Sequence, residues 1–332
     1  MHPSAQRLTR RIVMRLLRVL TLLLAVSALA FALVTLSPID AVQQYILSLG
    51  TALSPEQQAA IASYWGADEP ALMRYLHWLG GVLTGDLGIS SLYRRPVADI
   101  IGERFLGSLA LMCCAWLLAG LIGFALGCLM GMTRGRFPDR FVKRLCYVLS
   151  AVPTFWLGLV LLLFFAVWLG WAPIGFSSPI GALEADITFG QRLAHLVLPA
   201  LTLSFTSFAN IALHTRQKLI DVLESDYVLF ARARGENAWT ILRRHGLRNI
   251  LFPALTLQFA SFSELFGGSV LAENVFSYPG LGSAAAAAGL NGDVPLLLGV
   301  TLCSALFVCC GNMIADVLYG LIDPTLREED RP

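Results

Sequence analysis

The chain is organised around one polar run, DYVLFARARGENAWTILRRHGLRNILFP (Asp226–Pro253), which lies between two hydrophobic stretches of membrane-spanning length. A helical pattern of about fifteen residues begins near Asp221 and ends at Gly235, and a second short pattern runs from Asn237 to Pro253. A membrane protein gains nothing for its own insertion from a folded helix–glycine–helix insert. The pattern therefore indicates a segment that docks into a soluble partner.

The composition places this run in a polytopic membrane protein. The chain has 332 residues, of which 56% are hydrophobic and only 14% are charged, with a mean hydropathy of +0.68. Soluble domains usually carry about 25% charged residues. The seven cysteines all lie in or beside apolar stretches, where they are expected to act as small hydrophobic helix residues. We therefore predict an all-α polytopic membrane fold.

Apolar runs of about 20 residues predict six transmembrane helices in one permease-like membrane domain over residues 1–332. The first run resembles a secretory signal, but its hydrophobicity continues to Leu36, which predicts an uncleaved first helix. The predicted spans are 12–37, 106–132, 144–171, 194–215, 250–272 and 294–322. Between them lie an extracytoplasmic segment, 38–105, and a cytoplasmic loop, 216–249. In the extracytoplasmic segment we expect helices near 55–65 and 71–82, a turn at 85–88, and a helix starting at Pro96-Val97.

The distribution of Lys and Arg predicts the orientation. With the N-terminus inside, the inner segments hold 19 of the 24 basic residues and the outer segments hold five. Such a bias follows the positive-inside rule. Both termini and the 216–249 loop are therefore predicted to be cytoplasmic.

The residues of the polar run agree with two capped helices. Asp226 is near the start of the first helix and Arg234 near its end, as the helix dipole favours. Gly235 suits a left-handed C-cap, and Asn237 suits the N-cap of the second helix. The competing interpretation is a basic loop held at the lipid surface, but that needs one wide apolar face. Here the apolar residues divide between two short helices, which favours a protein groove.

Other sites are sparse. The sequence contains no Gly-x-x-x-x-Gly-Lys-[Ser/Thr] phosphate loop, so any ATP used is predicted to bind another subunit. We predict no catalytic residue, metal site or cofactor in this chain. Glu264 lies inside the fifth predicted span, where a carboxylate either lines a water-filled path or accepts hydrogen bonds from neighbouring helices. The candidates for a translocation path are Glu264, Ser261 and Asn210. A gradient-driven secondary transporter using Glu264 is the alternative function.

Five ordered motifs give the chain a family resemblance. It resembles the permease subunits of bacterial ABC importers, and most closely the B-type permeases of the dipeptide, oligopeptide and nickel importers. One motif comprises Asp226–Gly235 and Leu247–Pro253. A second motif comprises Trp78-Leu-Gly-Gly, Gly85-Asp-Leu-Gly88 and Arg95-Pro96-Val97. The other three are Pro153-Thr-Phe-Trp156, Glu273-Asn-Val-Phe-Ser-Tyr-Pro-Gly-Leu-Gly282 and Asp323-Pro324-Thr-Leu-Arg327.

The chain departs from the family pattern at two places. Ala231-Arg-Ala stands where the literal motif has Glu-Ala-Ala, and Pro38-Ile-Asp40-Ala stands where many members have Pro-Gly-Asp-Pro. The stretch through Pro55-Glu56 and the segment Arg134–Arg140 are closer to nickel and opine-metallophore permeases. The resemblance therefore leaves a short peptide and a metal chelate both open as the transported solute.

The resemblance implies a bacterial inner-membrane pore subunit with three kinds of partner: a second, dissimilar permease, two ATPase subunits that bind ATP and Mg²⁺, and an extracytoplasmic solute-binding protein. The residues implied to couple to the ATPase are Asp226, Tyr227, Ala231, Arg232, Ala233, Arg234, Gly235, Glu236, Asn237, Trp239, Thr240, Arg244, Arg248 and Asn249. The residues implied to meet the binding protein are Glu273, Tyr278, Pro279 and Gly280. No nucleic acid is implied.

Overall fold

The computed structural model describes residues 3–36, 43, 46, 54–64, 69–179, 181–182 and 186–322. Within these ranges the chain is helical, and its extended pairing is limited to an isolated bridge between Ile89 and Pro96. The helices are α1 (Pro3–Leu36), α2 (Pro55–Tyr64), α3 (Ala71–Thr84), α4 (Val97–Met132), α5 (Phe137–Ala151), α6 (Thr154–Leu161), α7 (Phe189–Leu223), α8 (Asp226–Ala233), α9 (Ala238–Ile241), α10 (Leu247–Ala260), α11 (Phe262–Val275), α12 (Leu281–Leu290) and α13 (Val294–Ile322). Two π-helical stretches, Leu162–Trp168 and Leu242–Gly246, follow α6 and α9. The predicted all-α fold is confirmed.

Length and composition qualify three described helices as membrane spans, at Val13–Leu36, Val97–Met132 and Val294–Ala315. Three bent helix pairs bring the number to six when each pair is counted as one span. The predicted turn is also present: Gly85 and Gly88 both have positive φ, at 86° and 82°. Helix α4 begins at Val97 as predicted, and runs directly into the second predicted span.

The third predicted span is not one straight helix. Residues 144–171 were predicted to be continuous, but α5 ends at Ala151 and the helix that follows from Thr154 is turned by 112°. Val152 and Pro153 between them have extended backbones, with ψ of 130° and 135°. Proline lacks an amide N–H and disfavours the helical conformation in the residue before it. The uniform hydrophobicity of this stretch hides the break.

The polar run also differs from its prediction at both ends. A single helix was predicted from near Asp221 to Gly235, whereas α7 ends at Leu223 and α8 begins at Asp226. The second helix was predicted to close at Pro253, but α10 continues through Pro253 to Ala260. A proline removes one backbone hydrogen bond, and here the packing of α10 against α7 maintains the helix.

The chain divides into two compact units, each with its own core. The first unit comprises Met1–Gly107 and Gly280–Cys310. Its core joins the start of α4 to α12 and α13 through a cluster of buried aliphatic residues: Val97, Ile100, Ile101, Leu281, Ala284, Ala288, Leu296 and Val300.

A buried carboxylate ties the loop that precedes α4 to the start of α13 in this first unit. Asp293 is fully buried and caps α13, since its Oδ1 accepts a hydrogen bond from the Leu296 amide at 3.2 Å. Its Oδ2 accepts from the Ser90 hydroxyl at 2.5 Å and from the Leu92 amide at 3.0 Å. One side chain therefore fixes the loop that carries the Gly85–Gly88 and Arg95–Val97 motifs.

The second unit comprises Ser108–Pro279 and Gly311–Pro332, and its helices α4 and α7 meet along a line of glycines. Gly123, Gly127 and Gly131 are spaced four residues apart and therefore lie on one face of α4. A Cβ added at Gly127 would lie 2.6 Å from Cβ of Thr215 and 2.8 Å from the carbonyl oxygen of Ala212. The two helices therefore approach too closely here for a side chain on Gly127, the packing that small residues permit between membrane helices. The sequence analysis did not predict this line of glycines, which we call the glycine seam.

Some predictions fall outside the described residues. These are the Pro38-Ile-Asp40-Ala and Asp323–Arg327 motifs and the ends of the chain. The division of the chain into a single membrane domain with the named outer and inner segments stays a prediction.

Candidate functional site

Gly235 ends α8 in the left-handed conformation that its sequence position predicted. Its φ is +84°. Its amide donates to the Arg232 carbonyl at 2.9 Å, and the Glu236 amide donates to the Ala231 carbonyl at 3.1 Å. These two bonds form a Schellman motif. The predicted C-cap is confirmed, and it sets the direction in which the chain leaves α8.

The second helix starts at the predicted N-cap. Asn237 has an extended backbone, and its Oδ1 accepts a hydrogen bond from the Thr240 amide at 2.9 Å. An Asn cap of this kind is worth about 1 kcal/mol. Only three residues, Arg234, Gly235 and Glu236, separate α8 from this cap. The angle between α8 and α9 is therefore fixed by local hydrogen bonds on both sides of the glycine.

The two helices bury one side and expose the other. Val228, Ala231 and Ile241 are buried together, whereas Phe230 is 70% exposed and Trp239 is 68% exposed. The predicted coupling residues other than Ala231, Glu236 and Thr240 are exposed. Ala231 was among the residues predicted to couple to the ATPase; it is fully buried and packs with Val228 and Ile241 between α8 and α9. Its side chain belongs to the core of this segment and not to its surface.

Polar contacts hold the exposed side of the segment to α10. The Asn249 side-chain amide donates to the Tyr227 hydroxyl at 3.1 Å and to the His245 carbonyl at 2.8 Å. Glu236 lies between two basic side chains. Arg234 Nη2 is 3.3 Å from Glu236 Oε1, and His245 Nε2 is 3.4 Å from Glu236 Oε2. We call residues 226–249 the coupling segment.

Two ion pairs stabilise the helices from which this segment emerges. The sequence analysis did not predict them. Arg216 on α7 makes a bidentate contact with Asp139 on α5, with Nε–Oδ1 at 2.6 Å and Nη2–Oδ2 at 2.9 Å. Asp139 Oδ2 also accepts from the Gly135 amide at 2.8 Å, and Arg134 pairs with Glu224 just before α8. The single acidic residue within the basic run Arg134–Arg144 was the available signal, since an isolated acid among bases often has a partner.

We expect Asp139→Ala to destabilise the protein by roughly 2–4 kcal/mol. Removal of one partner of a buried ion pair leaves the other charge uncompensated, and the side chains of Arg216 and Asp139 are 16% and 3% exposed. Because Arg216 stays partly in contact with water, we expect the loss of stability to lie toward the lower end of that range. The measurement is thermal unfolding of the purified complex.

Arg140→Ala is the matched control for this prediction, because Arg140 is an exposed charge on the same helix. The double variant of Asp139 and Arg216 to alanine should recover part of the lost stability. Equal unfolding temperatures for Asp139→Ala and Arg140→Ala would contradict the structural role assigned to the pair.

The three predicted path residues are not brought together by hydrogen bonds in the described part of the chain. Glu264 on α11 and Asn210 on α7 are exposed. Ser261 lies in the one-residue break between α10 and α11, and its hydroxyl donates to the Gln258 carbonyl at 3.0 Å. Exposure of Glu264 does not agree with a hydrogen bond to neighbouring helices of the same chain. Its place on a translocation path stays a prediction.

Three of the four predicted binding-protein contacts lie in the interior. Glu273 is fully buried, and its Oε1 accepts a hydrogen bond from the Ser108 hydroxyl at 2.6 Å. Tyr278 and Gly280 are also buried, and Pro279 is half-buried. Burial of Glu273 and Tyr278 does not agree with direct contact between their side chains and a binding protein.

The folded helix–glycine–helix segment, with up to six membrane spans around it, is the architecture of a membrane transport subunit. Residues 123–328 match the family "Binding-protein-dependent transport system inner membrane component", and residues 8–111 match the corresponding N-terminal component. The chain belongs to this family of ABC importer permeases. It is thus a multi-pass inner-membrane protein and a transport subunit, not an enzyme.

Named relatives place the chain in the peptide branch. It is 32% identical over 317 residues to the oligopeptide transport system permease protein AppB of Bacillus subtilis, covering 95% of this chain and 98% of the relative. It is 34% identical over 313 residues to the glutathione transport system permease protein GsiC of Salmonella typhimurium, covering 94% and 97%. GsiC of Escherichia coli K12 is 33% identical over 316 residues, with 95% and 98% covered. The chain is a peptide-type ABC importer permease, and its family implies ATPase and binding-protein partners.

Proposed function

We propose that the chain forms half of a translocation pore and passes the power stroke of partner ATPases to it through the coupling segment. The supporting observation is the pair Phe230 and Trp239, each about 70% exposed on helices fixed by the Gly235 and Asn237 caps. Large exposed aromatic side chains on a rigid support are typical of interface hot spots. Closure of the ATPase dimer would then displace α8 and α9 together.

The assembly that we propose contains this chain, a second dissimilar permease, two ATPase subunits and an extracytoplasmic binding protein. ATP and Mg²⁺ bind the ATPase subunits. Both termini and the coupling segment lie in the cytoplasm, an orientation supported by the 19 of 24 basic residues in the inner segments.

We propose a short peptide as the transported solute, because the relatives are named for oligopeptide and glutathione transport. Nickel and metal–opine chelates stay open predictions. Membership of the family favours ATP-driven import over the gradient-driven alternative, and Glu264, Ser261 and Asn210 stay candidates for the solute path. Competition between labelled peptide and nickel chelates for uptake by the assembled importer separates these solutes.

We expect Trp239→Ala to weaken binding of the ATPase subunits by roughly thirtyfold, the equivalent of about 2 kcal/mol for loss of a hot-spot aromatic. The measurement is the dissociation constant of the purified ATPase subunits for the permease pair in nanodiscs. Trp171→Ala is the control, since Trp171 is 75% exposed and lies outside the coupling segment. Unchanged affinity for Trp239→Ala would refute the proposed docking surface.

A further inference from the structure

Helix α3 (Ala71–Thr84) carries an apolar face that the rest of its unit leaves uncovered. Leu72, Leu76 and Leu83 lie on one side of the helix, following the helical repeat, and they are 71%, 50% and 82% exposed. Met73 beside them is 49% exposed. None of the residues of α3 is fully buried. A face of this size on a water-exposed surface would be unusual, because monomeric proteins rarely expose contiguous apolar patches.

A different side of α3, which carries Tyr75, packs on α1. The Tyr75 hydroxyl is 2.9 Å from the Ser27 hydroxyl, and the ring of Tyr75 meets Phe31 edge-on at a centroid distance of 5.4 Å. Ser27 is the one buried residue among the α1 side chains that the structure describes, from Val13 to Leu36. The Ser27 hydroxyl also donates to the Leu24 carbonyl at 3.0 Å within α1, so Tyr75 is its second hydrogen-bond partner and joins the two helices.

This contact sets the level of α3 relative to the membrane. Ser27 lies nine residues before Leu36, where α1 ends, which is roughly 14 Å along the helix at 1.5 Å per residue. The hydrocarbon core of a bilayer is about 30 Å thick. A helix that reaches Ser27 with one tyrosine side chain therefore lies within the depth of the span and not above it.

The basic residues of α3 lie together on one edge. Arg74 and His77 are the two basic residues among its fourteen, and His77 Nδ1 is 3.2 Å from a carboxylate oxygen of Glu69 just before the helix. A broad apolar face with a narrow polar edge is the pattern of an amphipathic helix that lies along a membrane.

We propose that α3 is embedded in the membrane beside α1, with Leu72, Leu76 and Leu83 against phospholipid acyl chains. By the proposed orientation of the chain, the leaflet is the outer one. The segment between the first two predicted spans would thus contain a membrane-embedded helix.

The test is the collision accessibility of spin labels on the assembled importer in phosphatidylethanolamine–phosphatidylglycerol nanodiscs. Labels are placed at L72C, L76C and L83C, one at a time, in a chain whose seven cysteines are replaced by alanine and which retains uptake. We expect oxygen to relax these labels more strongly than a water-soluble nickel chelate does. L29C on α1, 62% exposed at Leu29, is the lipid reference, and E56C on the exposed start of α2 is the water reference.

Each possible result of this measurement either supports or overturns the proposal. Stronger relaxation by the nickel chelate at L76C and L83C, as at E56C, overturns the proposal in favour of a water-exposed surface. Low accessibility to both reagents overturns it in favour of a protein partner. If the alanine-substituted chain fails to assemble, a photoreactive benzoylphenylalanine at Leu83 in the unaltered chain replaces the label. A lipid adduct then supports the proposal, and a subunit adduct or no adduct refutes it.

Discussion

Gly235→Val is expected to lower solute uptake by ten- to thirtyfold while ATP hydrolysis continues. The φ of +84° is a conformation that a β-branched residue adopts only at a cost of about 2 kcal/mol, equivalent to about a thirtyfold shift in population. An added Cβ meets no atom within 4 Å, so the cost is purely one of backbone conformation. The measurement is peptide uptake and ATPase rate in the same proteoliposomes.

Two substitutions serve as controls for this effect. Gly235→Asn should retain most of the uptake, because asparagine tolerates the left-handed conformation. Gly190→Val adds the same side chain at a helical glycine that also has open space around it, and it should leave coupling unchanged. Equal uptake by Gly235→Val and the native protein would show that the angle between α8 and α9 is not needed for coupling.

Gly127→Leu is expected to destabilise the second unit strongly. The new Cβ alone would lie 2.6 Å from Thr215 Cβ and 2.8 Å from the Ala212 carbonyl oxygen. Because a backbone oxygen of a packed helix cannot move aside, α4 and α7 must separate. Overpacking of this kind costs about 3 kcal/mol or more, which corresponds to roughly 6–12 °C in the unfolding temperature. Thermal unfolding and the yield of assembled complex measure it.

Gly102→Leu is the matched control in the same helix. A Cβ at Gly102 meets no atom within 4 Å, so the added leucine has room. We expect this variant to unfold within about 2 °C of the native protein, as surface substitutions usually do. If both variants unfold at the native temperature, the glycine seam does not hold α4 to α7.

What the sequence predicted well was local. Gly235 and Asn237 were identified because a helix cap depends on residues three to five positions away, which are visible in the sequence itself. The start of α4 at Val97 was predicted for the same reason, since a proline before a helical pattern marks a beginning. The two caps of the coupling segment could therefore be predicted, because they do not depend on how its helices pack against the rest of the chain.

What the sequence did not predict depends on which helices are neighbours. Asp139 and Arg216 are 77 positions apart, and Ser108 and Glu273 are 165 apart, so the sequence near one residue does not identify its partner in either pair. Glu273 was consequently assigned to a surface that it does not occupy. The break at Val152–Pro153 was also missed, because the mean hydropathy of a stretch does not change when a proline removes one backbone N–H donor.

The hydrogen bond between Ser90 and Asp293 has a consequence for biosynthesis. Its partners are 203 residues apart, and at about 5–20 residues per second the ribosome needs roughly 10–40 s to make Asp293 after Ser90. The first unit is interrupted by residues 108–279, so all of that chain is synthesised before the loop at Ser90 receives its anchor. The loop at Ser90 therefore stays without this hydrogen bond until the segment that carries Asp293 has been synthesised and inserted.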